Sequence, residues 1–304
     1  MNEKPIVIID TDPGHDDALA IMLLIRSKLT DIRALTTVAG NVNLQKTTNN
    51  ARYILDLINC KIPIFSGSVK PLKKELICAN VHGETGLTGA NVTKSEPLNG
   101  LAVGKIIEIV RANPKKVTIV TIGPETNVAK AFLKDPELPK LIKQIVIMGG
   151  AINVPGNKSS VAEFNIFVDP DAAKIVFNAP VRKIMVPLDV CNGLPLFLSD
   201  FRKIKGKLRG PILSMMKPFI KGIKTFENFD GALVYDAIAA YFLIKPKAFQ
   251  LEKMNIRIET KGELTTGMSV ADKRTWGKKR ANAEVVTRID RSTFVKDFIR
   301  IMSD

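Results

Sequence analysis

The sequence predicts an α/β fold: a single domain over residues 1–304, an open, mostly parallel sheet flanked by helices, with a small helical region over the site. Three observations carry this. Short runs such as Ile6–Ile9, Val117–Ile122 and Gln144–Met148 are largely apolar and β-branched, as strands buried on both faces are. They alternate with stretches of helical periodicity, so crossover connections and parallel pairing are the simplest arrangement. No internal repeat, linker or low-complexity tract divides the chain, and a 45% hydrophobic content is enough for a large core.

The first elements hold the most informative stretch. Ile6–Ile9 is too short for a helix and suits a buried parallel strand, while Ala18–Ile25 is apolar almost all round and suits a buried helix. Between them stand four aspartates within eight residues, Asp10, Asp12, Asp16 and Asp17, on a turn punctuated by Pro13-Gly14. Open α/β sheets bind ligands at the carboxyl ends of their strands, which is where these side chains fall. Carboxylates this close repel one another, so either some hold protons or a cation sits among them. All-oxygen ligands with no nearby cysteine point to Ca²⁺ or Mg²⁺, not zinc. A helix-dipole role, at roughly 0.3–1 kcal/mol each, accounts for Asp16 and Asp17 but not for Asp10 and Asp12 at the end of an apolar strand.

Arg33–Asn41 reads as a second strand ending in a polar loop, with Asn41 on the same rim as Asp12. Ala51, Ile54, Leu55 and Ile58 stand at helical spacing and predict an amphipathic helix over 46–59; Ile62–Phe65 is a third short strand. Residues 78–90 contain three glycines and His82, one of two histidines, and read as a mobile segment of the site. His15 reads as a local hydrogen-bonding residue. A helix over 101–112 stops at Asn113-Pro114, and Thr126-Asn127 starts another as its N-cap after the Val117–Ile122 strand.

Gln144–Met148 ends in Gly149-Gly150, a polar loop follows, and Asp169-Pro170 opens a helix. Glu163, between Val161 and Phe164, reads as half-buried and paired. Lys183–Leu188 is a strand ending at Asp189. Residues 192–230 are the least regular and predict short helices at the mouth of the site, with Met215, Met216 and Phe219 packing as core and part of the cluster free to line a pocket. A helix begins at Val234-Tyr235-Asp236. The rest reads as strands over 254–260, 264–271 and 282–290, then a helix over 291–303.

Composition narrows the class of function. Net charge is +15 and the pI about 9.7, but Lys and Arg are scattered and only three Tyr and one Trp could stack on bases. A solvated basic surface is the reading, with no nucleic-acid partner; a surface helix accounts for the dense stretch from Lys203 to Lys224. No apolar run approaches the ~20 residues of a membrane span, and Ile6–Ile9 ends at once in aspartates, unlike a secretory leader. Cys60, Cys78 and Cys191 are odd in number and far apart, which suits neither a disulfide framework nor zinc and fits a reduced, cytoplasmic setting.

The run DTDPGHDDALA (residues 10–20) resembles the N-terminal signature of the nucleoside hydrolases, the inosine–uridine-preferring group. The likeness continues in HGETG from His82, VTIVTIGPETNVA from Val117, AEFN from Ala162, the helix start at Tyr235-Asp236 and LTTGMSVADKR from Leu264, and so covers nearly the whole chain. The resemblance implies hydrolysis of the N-glycosidic bond of ribonucleosides, giving ribose and a free purine or pyrimidine base, as in nucleoside salvage. It implies one Ca²⁺ per chain, held by Asp12, Asp17, Asp236 and the backbone carbonyl of Ile122. Asp12 would be the general base, oriented by Asp10. Asp16 would grip the 2′-hydroxyl, and Asn41, Met148, Asn157, Glu163 and Asn165 would complete the sugar contacts. His82 and Tyr235 are the candidates for protonating the leaving base; many members carry a histidine where Tyr235 stands. Relatives form homodimers or homotetramers. Two other readings remain at this point: a Mg²⁺ phosphohydrolase with Asp10 as nucleophile, and a catalytically silent nucleoside-binding protein.

Overall fold

The computed structural model describes residues 3–93, 101–274, 276–277 and 279–303. In chain order the elements are β1 (Ile6–Thr11), α1 (His15–Ser27), β2 (Asp31–Thr37), α2 (Leu44–Leu57), β3 (Ile64–Ser66), α3 (Ala102–Ala112), β4 (Val117–Thr121), α4 (Thr126–Lys134), α5 (Leu138–Leu141) and β5 (Gln144–Met148). There follow α6 (Phe164–Val168), α7 (Pro170–Asn178), β6 (Lys183–Val186), α8 (Leu188–Cys191), α9 (Leu198–Phe201), α10 (Arg209–Glu227), α11 (Tyr235–Ile244), β7 (Phe249–Met254), β8 (Ile256–Ile258), β9 (Ser269–Ala271), β10 (Ala283–Ile289) and α12 (Arg291–Met302).

Eight strands form one sheet in the order β3-β2-β1-β4-β5-β6-β10-β7. All neighbours are parallel except β7, which runs antiparallel to β10 at the edge. Strands β1 and β4 are buried at every residue, as the apolar runs predict. Alternation along β1 sends Val7 and Ile9 into one core layer with α1 and α11, and Ile6 and Ile8 into the other with α3, α4 and α7. The chain winds from β1 outward to β3, then back to β4 on the other side of β1. The β1/β4 boundary is therefore the point where strand order reverses, the crevice at which such sheets bind ligands. Among the described residues no helix is long and apolar enough to cross a membrane.

Several boundaries differ from expectation, each for a physical reason. Strand β2 ends at Thr37, so Asn41 lies in the loop beyond it. Thr126 and Asn127 do not cap α4; Glu125 holds the cap position without a side-chain bond, and both expected caps turn inward. The strand over 183–188 stops at Val186 because Leu188–Cys191 coils into a turn of helix. Residues 209–227 form one 19-residue helix, not several short ones. Its stripe of Ile212, Met215, Met216, Phe219 and Ile223 is buried, and that packing outweighs the breakers within it. Pro218, lacking an N–H, leaves the Ser214 carbonyl without its helical bond. Strand β7 escaped the apolar search because residues 250–253 are exposed and partly charged, as suits a sheet edge. Only Ser269–Ala271 of the expected 264–271 strand pairs, with β8.

Candidate active site

At the end of β1 the ladder sets Asp10 beside Thr36 of β2 and Thr121 of β4. Its Oδ1 accepts from Thr36 Oγ1 at 2.5 Å and from Asn127 Nδ2 at 2.8 Å. Asn127 Nδ2 also donates to the Thr37 carbonyl at 3.0 Å, and its Oδ1 accepts from Ser68 N at 2.9 Å. Asp10 is thus clamped to β2 and α4 beneath the site, and burial pushes its pKa up to about 7. Neither Asp10 nor Asp12 nor Asp17 lines the cavity, but only Asp10 is tied down by side chains of both β2 and α4, which disfavours it as the nucleophile a phosphohydrolase needs.

Asp12 lies just beyond the end of β1. Its Oδ2 accepts from Asn41 N at 2.6 Å, and Asn41 Nδ2 donates to the Asp12 carbonyl at 3.1 Å. Its Oδ1 is buried with no hydrogen-bond partner. Gly40 and Gly123 press on this carboxylate from two sides; a Cβ on either would overlap it. Asp17, in the first turn of α1, accepts from Thr11 Oγ1 at 2.5 Å, Gly14 N at 2.9 Å and Asn41 Nδ2 at 3.2 Å. Asp236 enters from the first turn of α11, the almost wholly buried helix packed on α1. Carboxylate oxygens of Asp16, Asp17 and Asp236 lie within 4.8 Å of one another, all buried. Asp16 thus stands in the close group where Asp12 was expected, and Asp12 is near enough for its charge to act on Asp236.

Burial, then mutual repulsion, holds the pKa values of Asp12 and Asp16 well above the carboxylate range. Burial followed by the charges of Asp16, Asp17 and Asp12 does the same to Asp236. Burial raises Asp17 too. Among the described residues the only basic side chain in ion-pair reach is His82, whose Nε2 is 3.9 Å from Asp16 Oδ1. Burial and the nearby His15 hold His82 well below its ordinary pKa, so it stays neutral and compensates nothing. Four buried oxygen-donor acids, one with an orphaned oxygen, fit a hard divalent cation and no soft one.

Above this cluster opens a cavity of about 250 Å³. Asp16, Asn41, His82, Ile122, Met148, Asn157, Glu163, Asn165, Tyr235 and Asp236 all line it, so one crevice gathers candidates spread over nearly the whole chain. Glu163 is fully buried, not half-buried. It caps α6, accepting from Asn165 N at 2.9 Å, Gly150 N at 3.0 Å and Ile166 N at 3.2 Å. Asn165 Nδ2 donates to the Met148 carbonyl at 3.2 Å and the Ile122 carbonyl at 3.4 Å, tying the ends of β5 and β4. Asn157 Oδ1 accepts from Phe164 N at 2.9 Å.

The two histidines form a stack with Phe219, whose ring lies 4.8 Å from His15 and 5.2 Å from His82. His15 Nε2 reaches the Thr88 carbonyl at 3.0 Å, so it must carry the proton. His15 Nδ1 lies 3.1 Å from His82 Nδ1, which also accepts from the His15 backbone N–H at 3.3 Å. Tyr235 OH donates to Asn192 Oδ1 at 3.0 Å, and burial pushes its pKa well up, so it keeps its proton.

Sequence reasoning missed three things. The Asn127 clamp was hidden by the expectation of a cap. The squeeze of Gly40 and Gly123 on Asp12 has no local signature. The cavity face of α10, with Phe219, Ile223, Phe226 and Glu227, was legible as i, i+4, i+7, i+8 spacing had Pro218 not suggested a break.

The geometry agrees with three comparisons. A family model described as inosine-uridine preferring nucleoside hydrolase matches residues 7–296. Pyrimidine-specific ribonucleoside hydrolases RihA from Shigella flexneri serotype 5b and from Salmonella newport are each 39% identical over 297 residues, 95% of either chain. A plant nucleoside hydrolase superposes with a TM-score of 0.92 at 28% identity over 99% of both chains. A purine-preferring ribonucleoside hydrolase from Gardnerella vaginalis does so at 0.90 and 27% over 98% of both. A family match along nearly the full length, with relatives at this identity, shows that the chain belongs to the inosine-uridine preferring nucleoside hydrolases.

Proposed function

We propose that this ribonucleoside hydrolase acts on pyrimidine ribonucleosides, with Asp12 as general base and a Ca²⁺ ion held by Asp12, Asp17, Asp236 and the Ile122 carbonyl. The pyrimidine preference rests on the similarity to RihA. The observation that carries the rest is the buried, uncompensated acidic cluster at the strand-order reversal, two of whose members, Asp16 and Asp236, line the cavity. When bound, the cation lowers the pKa of a water and polarises sugar hydroxyls.

The chain's residues do the remainder. Asp12 would take a proton from the attacking water. Asp10 holds the strand end in place through Thr36 and Asn127. Asp16, Asn41, Met148, Asn157, Glu163 and Asn165 hold the ribose, and the acids stabilise the oxocarbenium-like sugar as the base departs. Tyr235, still protonated, would exchange Asn192 for the leaving base as the partner of its O–H, and His82 lines the same cavity. A cytoplasmic setting fits three unpaired cysteines, and assembly as a homodimer or homotetramer follows the resemblance.

The test is a reducing-sugar assay on purified protein with Ca²⁺ and cytidine, uridine, inosine or adenosine. Asp12→Ala is expected to lower kcat by about 10²–10⁴, the usual worth of a general base, and Tyr235→Phe to slow the poorest leaving groups most. A near-normal rate in Asp12→Ala sinks the general-base role.

A further inference from the structure

We propose that Glu227 selects the leaving base, favouring one that carries an exocyclic amino group over its oxo counterpart: cytidine over uridine, or adenosine over inosine. This rests on the nucleoside hydrolase reading of the cavity.

Helix α10 turns one face to the cavity, made of Phe219, Ile223, Phe226 and Glu227. Three of the four are apolar and suit the flat face of a base. Glu227 is the single polar side chain on that face. It is half-buried, and among the described residues it takes no hydrogen bond and no ion pair. The donors nearby are committed elsewhere. Lys224, on the preceding turn, pairs with Asp230 at 2.8 Å, and Tyr235 OH points to Asn192. Burial alone pushes the Glu227 carboxyl up to about 7, the mark of a carboxylate with nothing to offset its desolvation. An acid kept in that state beside a ligand cavity is satisfied once the ligand brings donors.

The sugar is already matched by the polar groups around Asp16, Glu163 and Asn165, so the donors must come from the base. An amino group presents N–H bonds to the carboxylate. The oxo group at the same position presents lone pairs that repel the ionised carboxylate, so the comparison is made above about pH 8, where Glu227 is ionised. The one ring N–H of uracil lies between two carbonyl oxygens that repel it as well. A site built to hydrogen-bond one substituent discriminates strongly against an analogue lacking it.

The experiment measures kcat/KM of the Ca²⁺-loaded enzyme for cytidine against uridine and for adenosine against inosine, in wild type and in Glu227→Gln. The amide keeps the shape but both donates and accepts. Wild type is expected to favour the amino member of the better-used pair at least about tenfold. Glu227→Gln is expected to bring that ratio close to one, chiefly by improving the oxo substrate, a gain that loss of structure cannot give. An oxo preference in wild type, or an unchanged ratio in the variant, overturns the proposal while leaving the hydrolase reading intact. If nothing is turned over, calorimetric titration with cytidine and uridine reads the same ratio as affinities. Failure of both to bind rejects this proposal and the cavity reading together.

Discussion

Glu125 shows what a single residue can reveal about the balance of this fold. It is fully buried, and neither carboxyl oxygen has a hydrogen-bond partner. Burial first, then the charges of Glu163, Asp169 and Asp10, hold its pKa well above the carboxylate range, so the folded protein keeps it protonated. Glu125→Leu is therefore expected to raise stability by about 1–3 kcal/mol, the cost of an unsatisfied buried polar group. The sign with pH follows. Below the ordinary carboxylate range both states hold the proton and the gap between variant and wild type is smallest. As pH rises through that range the unfolded chain releases its proton and the native one does not, so wild-type stability falls. The gap then widens by about 1.4 kcal/mol per pH unit until the folded acid ionises. Denaturant melts from pH 4 to 8 measure this; a gap that narrows with pH would contradict the assignment. Glu125 stood in the sequence as one letter of a family stretch, because nothing local tells a buried glutamate from an exposed one. Asp12, Asp17 and Asp236 were legible for the opposite reason: acids beside apolar runs need an explanation that a surface acid does not.

At the scale of elements, the loop over 78–90 and helix α10 depend on each other. Gly222 lets the Val81 carbonyl lie against the helix, and Gly89, at φ +90°, packs on the Ser214 carbonyl that Pro218 leaves free. Ser214 Oγ donates to the Gly89 carbonyl at 2.7 Å. His82 sits between these two contacts and stacks on Phe219 of the same helix. Gly222→Ala is expected to lift the Val81–His82 segment and lower kcat about tenfold or more, with Ca²⁺ affinity by calorimetry unchanged. Loss of Ca²⁺ binding would show that the damage reaches the acidic cluster instead. The strands β1, β4 and β5 were readable from apolar runs alone. Helix α10 was not, because its breakers are visible in the sequence and the tertiary packing that overrides them is not. Strand β7 was lost to the reverse problem, an edge strand whose exposure removes the apolar signal.

For the molecule as a whole, the parallel sheet and the rim that carries the site followed from alternation of pattern, and the residues now gathered around one cavity were nearly all named in advance. What stayed hidden is how they touch: which acid leans on which, and which donors are committed. The acidic cluster joins α1 to α11, two helices that pack on each other across the core. Its repulsion has no counter-charge among the described residues except the proposed ion. Chelation with EGTA is therefore expected to abolish hydrolysis and lower Tm by several degrees, since a ligand bound only by the native state stabilises it by mass action. Re-addition of Ca²⁺ should restore both. An unchanged Tm together with lost activity would mean that the ion serves chemistry without bracing the fold.

The distance in sequence between Asp17 and Asp236 has a consequence for how the protein comes into being. On the proposed ligand set, a polypeptide emerging from the ribosome carries three of the four ligands long before α11 exists. Until that helix docks, the early aspartates have no seat to offer calcium and no reason to stay apart from water. The nascent enzyme is then inert toward nucleosides through most of its synthesis, and loading with metal becomes one of the last events of its maturation.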